Sequence, residues 1–132
     1  MSDYDQLVKA ARAARENAFA PYSKFKVGAA LRTKSGKVYT GCNVENATYG
    51  LTVCAERVAI FKAISEGEQP GSFDSIAVCT DTQILTPPCG ACRQILWEFC
   101  GDVPVILSNL QGKTETHQMR DLFPRPFDKS FL

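Results

Sequence analysis

An α/β layered sheet is the fold class this sequence predicts. Three observations carry it. Short β-branched runs alternate along the chain with segments of helical spacing. Gly, Pro and Asn punctuate the boundaries between them. Two segments that bear cysteines each lie where an irregular stretch enters a helix.

The elements follow in order. Residues 4–19 read as an amphipathic helix: Tyr4, Leu7, Val8, Ala11, Ala14 and Ala18 fall on one face, Lys9, Arg12, Arg15 and Glu16 mostly on the other. Pro21 stops it. Residues 25–33 and 37–44 read as strands around Lys34-Ser35-Gly36, a hairpin signal. Residues 45–53 are irregular, with Asn43, Asn46 and Gly50 as breakers. Helical spacing returns over 54–65 through Val58, Ile60, Phe61 and Ile64, and Gly67 ends it. Residues 75–80 are short, apolar and β-branched, as a buried strand is. Pro87-Pro88 precede a helix over 90–100, then comes a strand over 103–108, with Gln111-Gly112 a turn before 113–117. Residues 119–122 form a short helix, and the tail holds two prolines and three phenylalanines.

At 132 residues, one domain spanning 1–132 is expected. With 45% hydrophobic and 22% charged residues, the chain has the makings of an ordinary globular core. No apolar run approaches the roughly 20 residues of a membrane span. The first residues are charged and carry no signal-peptide core, so a soluble cytoplasmic protein is expected. Net charge is +1 with both signs mixed, which argues against a nucleic-acid footprint. Six cysteines invite a disulfide framework, but nothing points to an oxidising compartment. Cys42, Cys79 and Cys100 lie in apolar surroundings, where a thiol is a small buried hydrophobe.

The chemistry concentrates in Cys54-Ala55-Glu56 and Pro88-Cys89-Gly90-Ala91-Cys92, which supply three thiolates and one carboxylate. Three protein ligands leave the fourth tetrahedral position of a zinc ion open for water, as in catalytic sites. Glu56, two residues from a ligand, can exchange protons with that water without binding the metal; it is also a carboxylate that favours a helix N-terminus, and both roles can hold. Cys89-x-x-Cys92 alone could be half of a structural zinc site or a redox pair. A structural site would want a fourth ligand close to Cys54, whereas the only histidine, His117, lies in a polar stretch. A redox pair leaves Cys54-Ala55-Glu56 unexplained. Three thiolates and Zn²⁺ sum to one net negative charge, which Arg57 would offset unless it is a solvated helix-surface residue. Arg93 is a similar candidate.

Cys54-Ala55-Glu56-Arg57 with Pro88-Cys89-Gly90-Ala91-Cys92-Arg93-Gln94 resembles the small, three-cysteine, homotetrameric cytidine deaminases. Pro21-Tyr22-Ser23-Lys24-Phe25-Lys26-Val27-Gly28-Ala29-Ala30-Leu31 is similar to that family's first strand, and Gly41-Cys42-Asn43-Val44-Glu45-Asn46-Ala47 to its ribose-binding segment. The resemblance implies a three-layer α/β/α fold around a mixed sheet of about five strands. It implies one zinc per subunit on Cys54, Cys89 and Cys92, and hydrolytic deamination of cytidine and 2′-deoxycytidine in pyrimidine salvage. By position, Glu56 would protonate N3 and then the departing amine, Asn43 and Glu45 would bind the ribose 3′-hydroxyl, Ala55 would hold the base edge through its backbone, and Phe25 would pack on the base. The resemblance further implies a homotetramer with shared active sites, Phe127 reaching a neighbour's site and Tyr49 lying near one. This chain has Thr48 where several relatives carry Cys or Ser, and Gly50 where they carry Pro.

Without the family, Asn43 and Glu45 read equally as turn residues at a strand end, and Phe25 as a core aromatic. Phe127, in a Pro-flanked tail, is harder to place in a core and would prefer an interface. Three other functions compete with a free-nucleoside deaminase. They are a deaminase of modified cytosine nucleosides such as blasticidin S, a polynucleotide editor, and a zinc-stabilised nucleoside binder without turnover. The balanced charge disfavours the editor, and a pure binder has no need of Glu56.

Overall fold

The computed structural model describes residues 3–132. Helix α1 (Asp5–Arg15) leads into strands β1 (Val27–Thr33) and β2 (Val38–Cys42), then α2 (Ala55–Ser65), β3 (Phe73–Thr80), α3 (Gly90–Cys100), β4 (Pro104–Asn109), β5 (Thr114–Gln118) and α4 (Met119–Leu122). Single 3₁₀ turns form at Tyr49–Leu51 and Lys129–Phe131.

The strands form one mixed sheet in the order β2-β1-β3-β4-β5. Only β3 and β4 run parallel, and α3 makes the crossover that a parallel pair requires. The β1–β2 hairpin closes where expected, with the Thr33 amide donating to the Lys37 carbonyl and Gly36 to Thr33.

Strand alternation builds the three layers. Ala30, Ala77, Cys79 and Ile106 face α1 and pack on Leu7 and Ala11. Ala29, Leu31, Ile76, Val105 and Leu107 face the other way, under Ala59, Ile60, Ala63 and Leu96 of α2 and α3. A two-residue period thus sends each strand's alternate side chains to opposite helix layers. Two glycines let the helices come down onto the sheet. A Cβ at Gly28 would lie 2.0 Å from the Ala11 carbonyl oxygen, and one at Gly41 would lie 2.5 Å from that of Ala55.

Three local expectations are corrected. Helix α1 stops at Arg15 rather than near Phe19, because the Phe19 amide donates to the Asn43 carbonyl and its own carbonyl accepts from Glu45, which bridges this segment to Val44. Ala18 therefore leaves the helix face. Strand β1 begins at Val27, not Phe25, since the stretch before it is tied to the Asn43 side chain instead of a neighbouring strand. Cys79 and Cys100 are buried as expected, but Cys42 at the end of the edge strand β2 is only half-buried.

Candidate metal centre

All three chemistry-bearing thiols sit at helix N-termini. Cys54 is the N-cap of α2 and Cys89 the N-cap of α3, each extended just before the first helical turn. Cys92 lies one turn into α3 and is buried. Helix N-terminal amides favour anionic sulfur there. The three sulfurs lie within 4.8 Å of one another, and Cys54 Sγ to Cys89 Sγ is 4.0 Å. Tetrahedral Zn–S bonds of about 2.3 Å place sulfurs ~3.8 Å apart, so the donor set and its spacing fit zinc. Among the described residues this is the one cluster of Cys, His and carboxylates able to hold a metal. His117 is elsewhere, bonded to Glu115 on β5 at 3.0 Å.

Charge on the thiols is unequal. The Cys54 thiol is pushed down to about 5, first by the hydrogen bond from the Cys92 thiol, then, against the opposing effect of burial, by the Arg57 guanidinium. The Cys92 thiol, buried and donating to that thiolate, is pushed up. Arg57 Nη2 donates to Cys54 Sγ at 3.2 Å, and its guanidinium also reaches Cys92. Arg57 is therefore no solvated surface residue: its charge is spent on the thiolates. Arg93 behaves differently. Its Nε donates to the Pro88 carbonyl at 2.7 Å and Nη1 to the Leu122 carbonyl at 2.5 Å, so it ties the loop before Cys89 to α4 and contacts no sulfur. Arg57→Ala is expected to lower zinc affinity about 10- to 100-fold, read by competition with a chromogenic chelator, while the α/β fold is kept.

Glu56 is the second residue of the metal-bearing helix and is 4% exposed. Burial pushes its carboxyl up to about 7, and the Cys54 thiolate adds in the same direction against the Arg57 charge. A carboxyl poised near neutrality can both take and give a proton. It faces a cavity of about 180 Å³ lined by Phe25, Val27, Asn43, Thr52, Cys54, Ala55, Glu56, Val78, Thr80, Thr86, Pro87 and Cys89. The expected Phe25, Asn43, Ala55 and Glu56 thus come together with two of the thiols.

Glu45, Tyr49 and Phe127 do not join that wall. Glu45 accepts from the Tyr22 and Ser23 amides at 2.9 and 3.1 Å and from the Ser23 hydroxyl, which holds its carboxyl below the usual range. It lines a neighbouring opening with Tyr22, Ser23, Tyr49 and Thr52, and Thr52 is shared with the thiol cavity. Tyr49 is 73% exposed, its ring edge-on to Tyr22. Phe127 is 58% exposed, stacks on Phe131 and has its carbonyl held by Gln94 of α3. Asn43 spends its amide on the backbone: Oδ1 accepts from the Val27 amide at 2.9 Å and Nδ2 donates to the Phe25 carbonyl at 2.7 Å. One N–H and one lone pair remain for a ligand. The sequence reading missed Thr52, Thr80 and Thr86 in the wall, because two loop threonines and one at a strand end share no periodic signal.

A mixed sheet presenting an open three-thiolate site and a buried carboxylate on one helix N-terminus defines a zinc-dependent hydrolase. Residues 1–107 match the family model for the cytidine and deoxycytidylate deaminase zinc-binding region. The chain is 49% identical over 131 residues to the cytidine deaminase of Sporosarcina psychrophila, covering 98% of this chain and 95% of that protein. It is 52% identical over 126 residues to that of Halalkalibacterium halodurans, covering 95% and 94%. The crystal structure of cytidine deaminase from Burkholderia pseudomallei superposes with a TM-score of 0.92 at 52% identity, covering 96% of this chain and all of that one. The chain belongs to the cytidine and deoxycytidylate deaminase family.

Proposed function

We propose that this chain, acting as one domain over residues 1–132, hydrolyses cytidine and 2′-deoxycytidine to uridine and 2′-deoxyuridine with release of ammonia, in pyrimidine salvage. The observation that carries it is the buried Glu56 carboxyl, on the helix start that Cys54 caps, beside three sulfurs spaced for zinc. Cys54, Cys89 and Cys92 would hold the ion, whose chemistry there is Lewis-acid activation of water.

The chain's own groups do the rest. Glu56 takes a proton from the attacking water and delivers it to pyrimidine N3. It then takes the remaining proton from the C4 hydroxyl of the tetrahedral adduct and passes it to the amine, so that the C4 carbonyl forms as the C4–N bond breaks and ammonia departs. Phe25 covers a face of the base, and the Ala55 backbone, at the first turn of α2, meets its edge. Asn43 and Glu45 reach the ribose 3′-hydroxyl, Glu45 through the one Oε2 lone pair that Ser23 and Tyr22 leave open. Arg57 balances the thiolate charge.

The active particle is a homotetramer in the cytoplasm, with sites completed by neighbours. A cavity of about 180 Å³ is smaller than the ~300 Å³ at which ligand pockets begin, which supports a missing wall. Phe19, Tyr22, Tyr49, Leu51 and Phe127 are exposed apolar groups available to supply it. No helix among the described residues is long and apolar enough to cross a membrane.

The test is ammonia release from cytidine by zinc-loaded protein, with sedimentation velocity on the same sample. Turnover by a four-chain particle is expected. A silent, zinc-replete protein would reject cytidine, and an active monomer would reject the shared site. Glu45→Ala separates plain ribose from modified nucleosides. It is expected to lower kcat/KM for cytidine about 10- to 100-fold, the worth of a charged hydrogen bond, and to leave 3′-deoxycytidine turnover nearly unchanged.

A further inference from the structure

Two threonines of the cavity wall are joined by a third behind it into a chain of three hydroxyls. Thr80, the last residue of β3, has its Oγ1 2.9 Å from Thr82 Oγ1, which lies 3.2 Å from Thr86 Oγ1. Thr80 and Thr86 line the cavity; Thr82 does not. Thr82 is anchored from behind, since Asn109 at the end of β4 donates Nδ2 to its carbonyl at 2.9 Å. Asn109 Oδ1 in turn accepts from the Gln111 and Lys113 amides, both at 3.0 Å. The chain is thus fixed to the carboxyl ends of the parallel pair β3–β4, the region of an α/β sheet where ligands collect. Thr86 is also followed directly by Pro87-Pro88-Cys89, so its hydroxyl lies close along the chain to a metal ligand.

Each hydroxyl has one proton to donate. Two links between three hydroxyls use two of them. The third proton belongs to whichever end the chain runs toward, Thr80 or Thr86, and neither end has another partner among the described residues. The chain therefore ends in one O–H at one cavity-lining threonine and open lone pairs at the other. Turning all three hydroxyls over swaps the ends at no cost in bonds.

We infer that this chain, with Thr82 as its positioning residue, serves the ring edge that changes character in the reaction. The C4 amine of the substrate is a donor and the C4 carbonyl of the product an acceptor. A fixed group would match one of them only, whereas a reversible hydroxyl chain matches both. This deepens the function proposed above and rests on it.

Thr82→Val keeps the shape and removes the central hydroxyl without touching a cavity-lining residue; Thr82→Ser restores it. Both would be compared with wild type as zinc-loaded enzyme, measuring kcat, KM, uridine inhibition, zinc content and thermal midpoint. Thr82→Val is expected to lose about tenfold in kcat with KM within about twofold and to bind uridine more weakly, at full zinc content, and Thr82→Ser to recover most of the loss. The inference is overturned if Thr82→Val matches wild type, if Thr82→Ser is equally impaired, or if the loss tracks zinc content. Should Thr82→Val fail to fold, Thr86→Val takes its place with Thr86→Ser as rescue and the same criteria. Wild type inactive on cytidine would instead overturn the proposed function, and this inference with it.

Discussion

Glu56→Gln is expected to abolish nearly all turnover of cytidine, by about 10²- to 10⁴-fold in kcat, while zinc stays bound at one equivalent per chain. The substitution preserves the volume and one carbonyl oxygen of the side chain but removes its capacity to accept and return a proton. In the mechanism proposed above, both proton deliveries, to N3 and to the departing amine, pass through that one carboxyl, so no second group covers for it. Among the described residues no other carboxylate lines the cavity. KM should move little, because the amide still fills the same place beneath the base. Folding should not suffer either. The cavity already disfavours the ionised carboxylate, raising it to about 7 through burial, and a neutral amide of the same shape avoids that desolvation. A thermal midpoint at or above that of wild type, together with the lost kcat, is the signature of a residue kept for chemistry and not for stability. Substantial turnover by the variant at full zinc content would show that the proton travels by another route. Loss of zinc alongside activity would show that Glu56 supports the metal instead.

The metal centre and the sheet were legible for different reasons. Cys54, Glu56, Cys89 and Cys92 stand within two short motifs, and thiolate chemistry at helix starts constrains them tightly, so spacing alone reached their arrangement. The strands were legible because burial on both faces demands continuous apolar runs such as those of β3 and β4. Helix α1 was over-extended because periodicity continued to Ala18, while a backbone bridge between Phe19 and Val44, distant in sequence, ended it. Arg57 and Arg93 look alike in sequence, each directly following a residue of the site. Only the geometry separates the one that meets a thiolate from the one that braces two carbonyls. The threonine chain was invisible for the same reason: its three members are joined by a loop fold that no local pattern encodes. The roles of Asn43 and Glu45 were reached through resemblance, and neither side chain's commitment to nearby backbone could be read from a single strand end.

Gly41→Ala is expected to be nearly as damaging as loss of Glu56, although residue 41 belongs neither to the thiol cluster nor to the cavity wall. Gly41 sits on β2 opposite Ala29, facing α2. A methyl group there would lie 2.5 Å from the Ala55 carbonyl oxygen and 2.6 Å from the Ala59 amide nitrogen. These are backbone atoms of a helix, so no side chain can rotate away, and the first turns of α2 must shift. That segment carries Cys54, Ala55, Glu56 and Arg57 together. Movement by even a few tenths of an ångström misplaces at once a thiol of the metal cluster, the proposed proton carrier and the guanidinium bonded to Cys54, and misplacement of about 1 Å can cost ~10²-fold in rate. Gly28→Ala is the matched comparison. Its methyl would strike the backbone of α1 at Ala11 and Arg15, on the opposite face of the sheet. Both variants should lose about 1–3 kcal/mol of stability by overpacking. Only Gly41→Ala should also lose about 10²-fold in kcat/KM and bind zinc more weakly, measured at a temperature where both proteins are folded. Equal activity in the two variants would mean that the sheet yields and the helix does not. The small residues at these positions would then matter for packing alone.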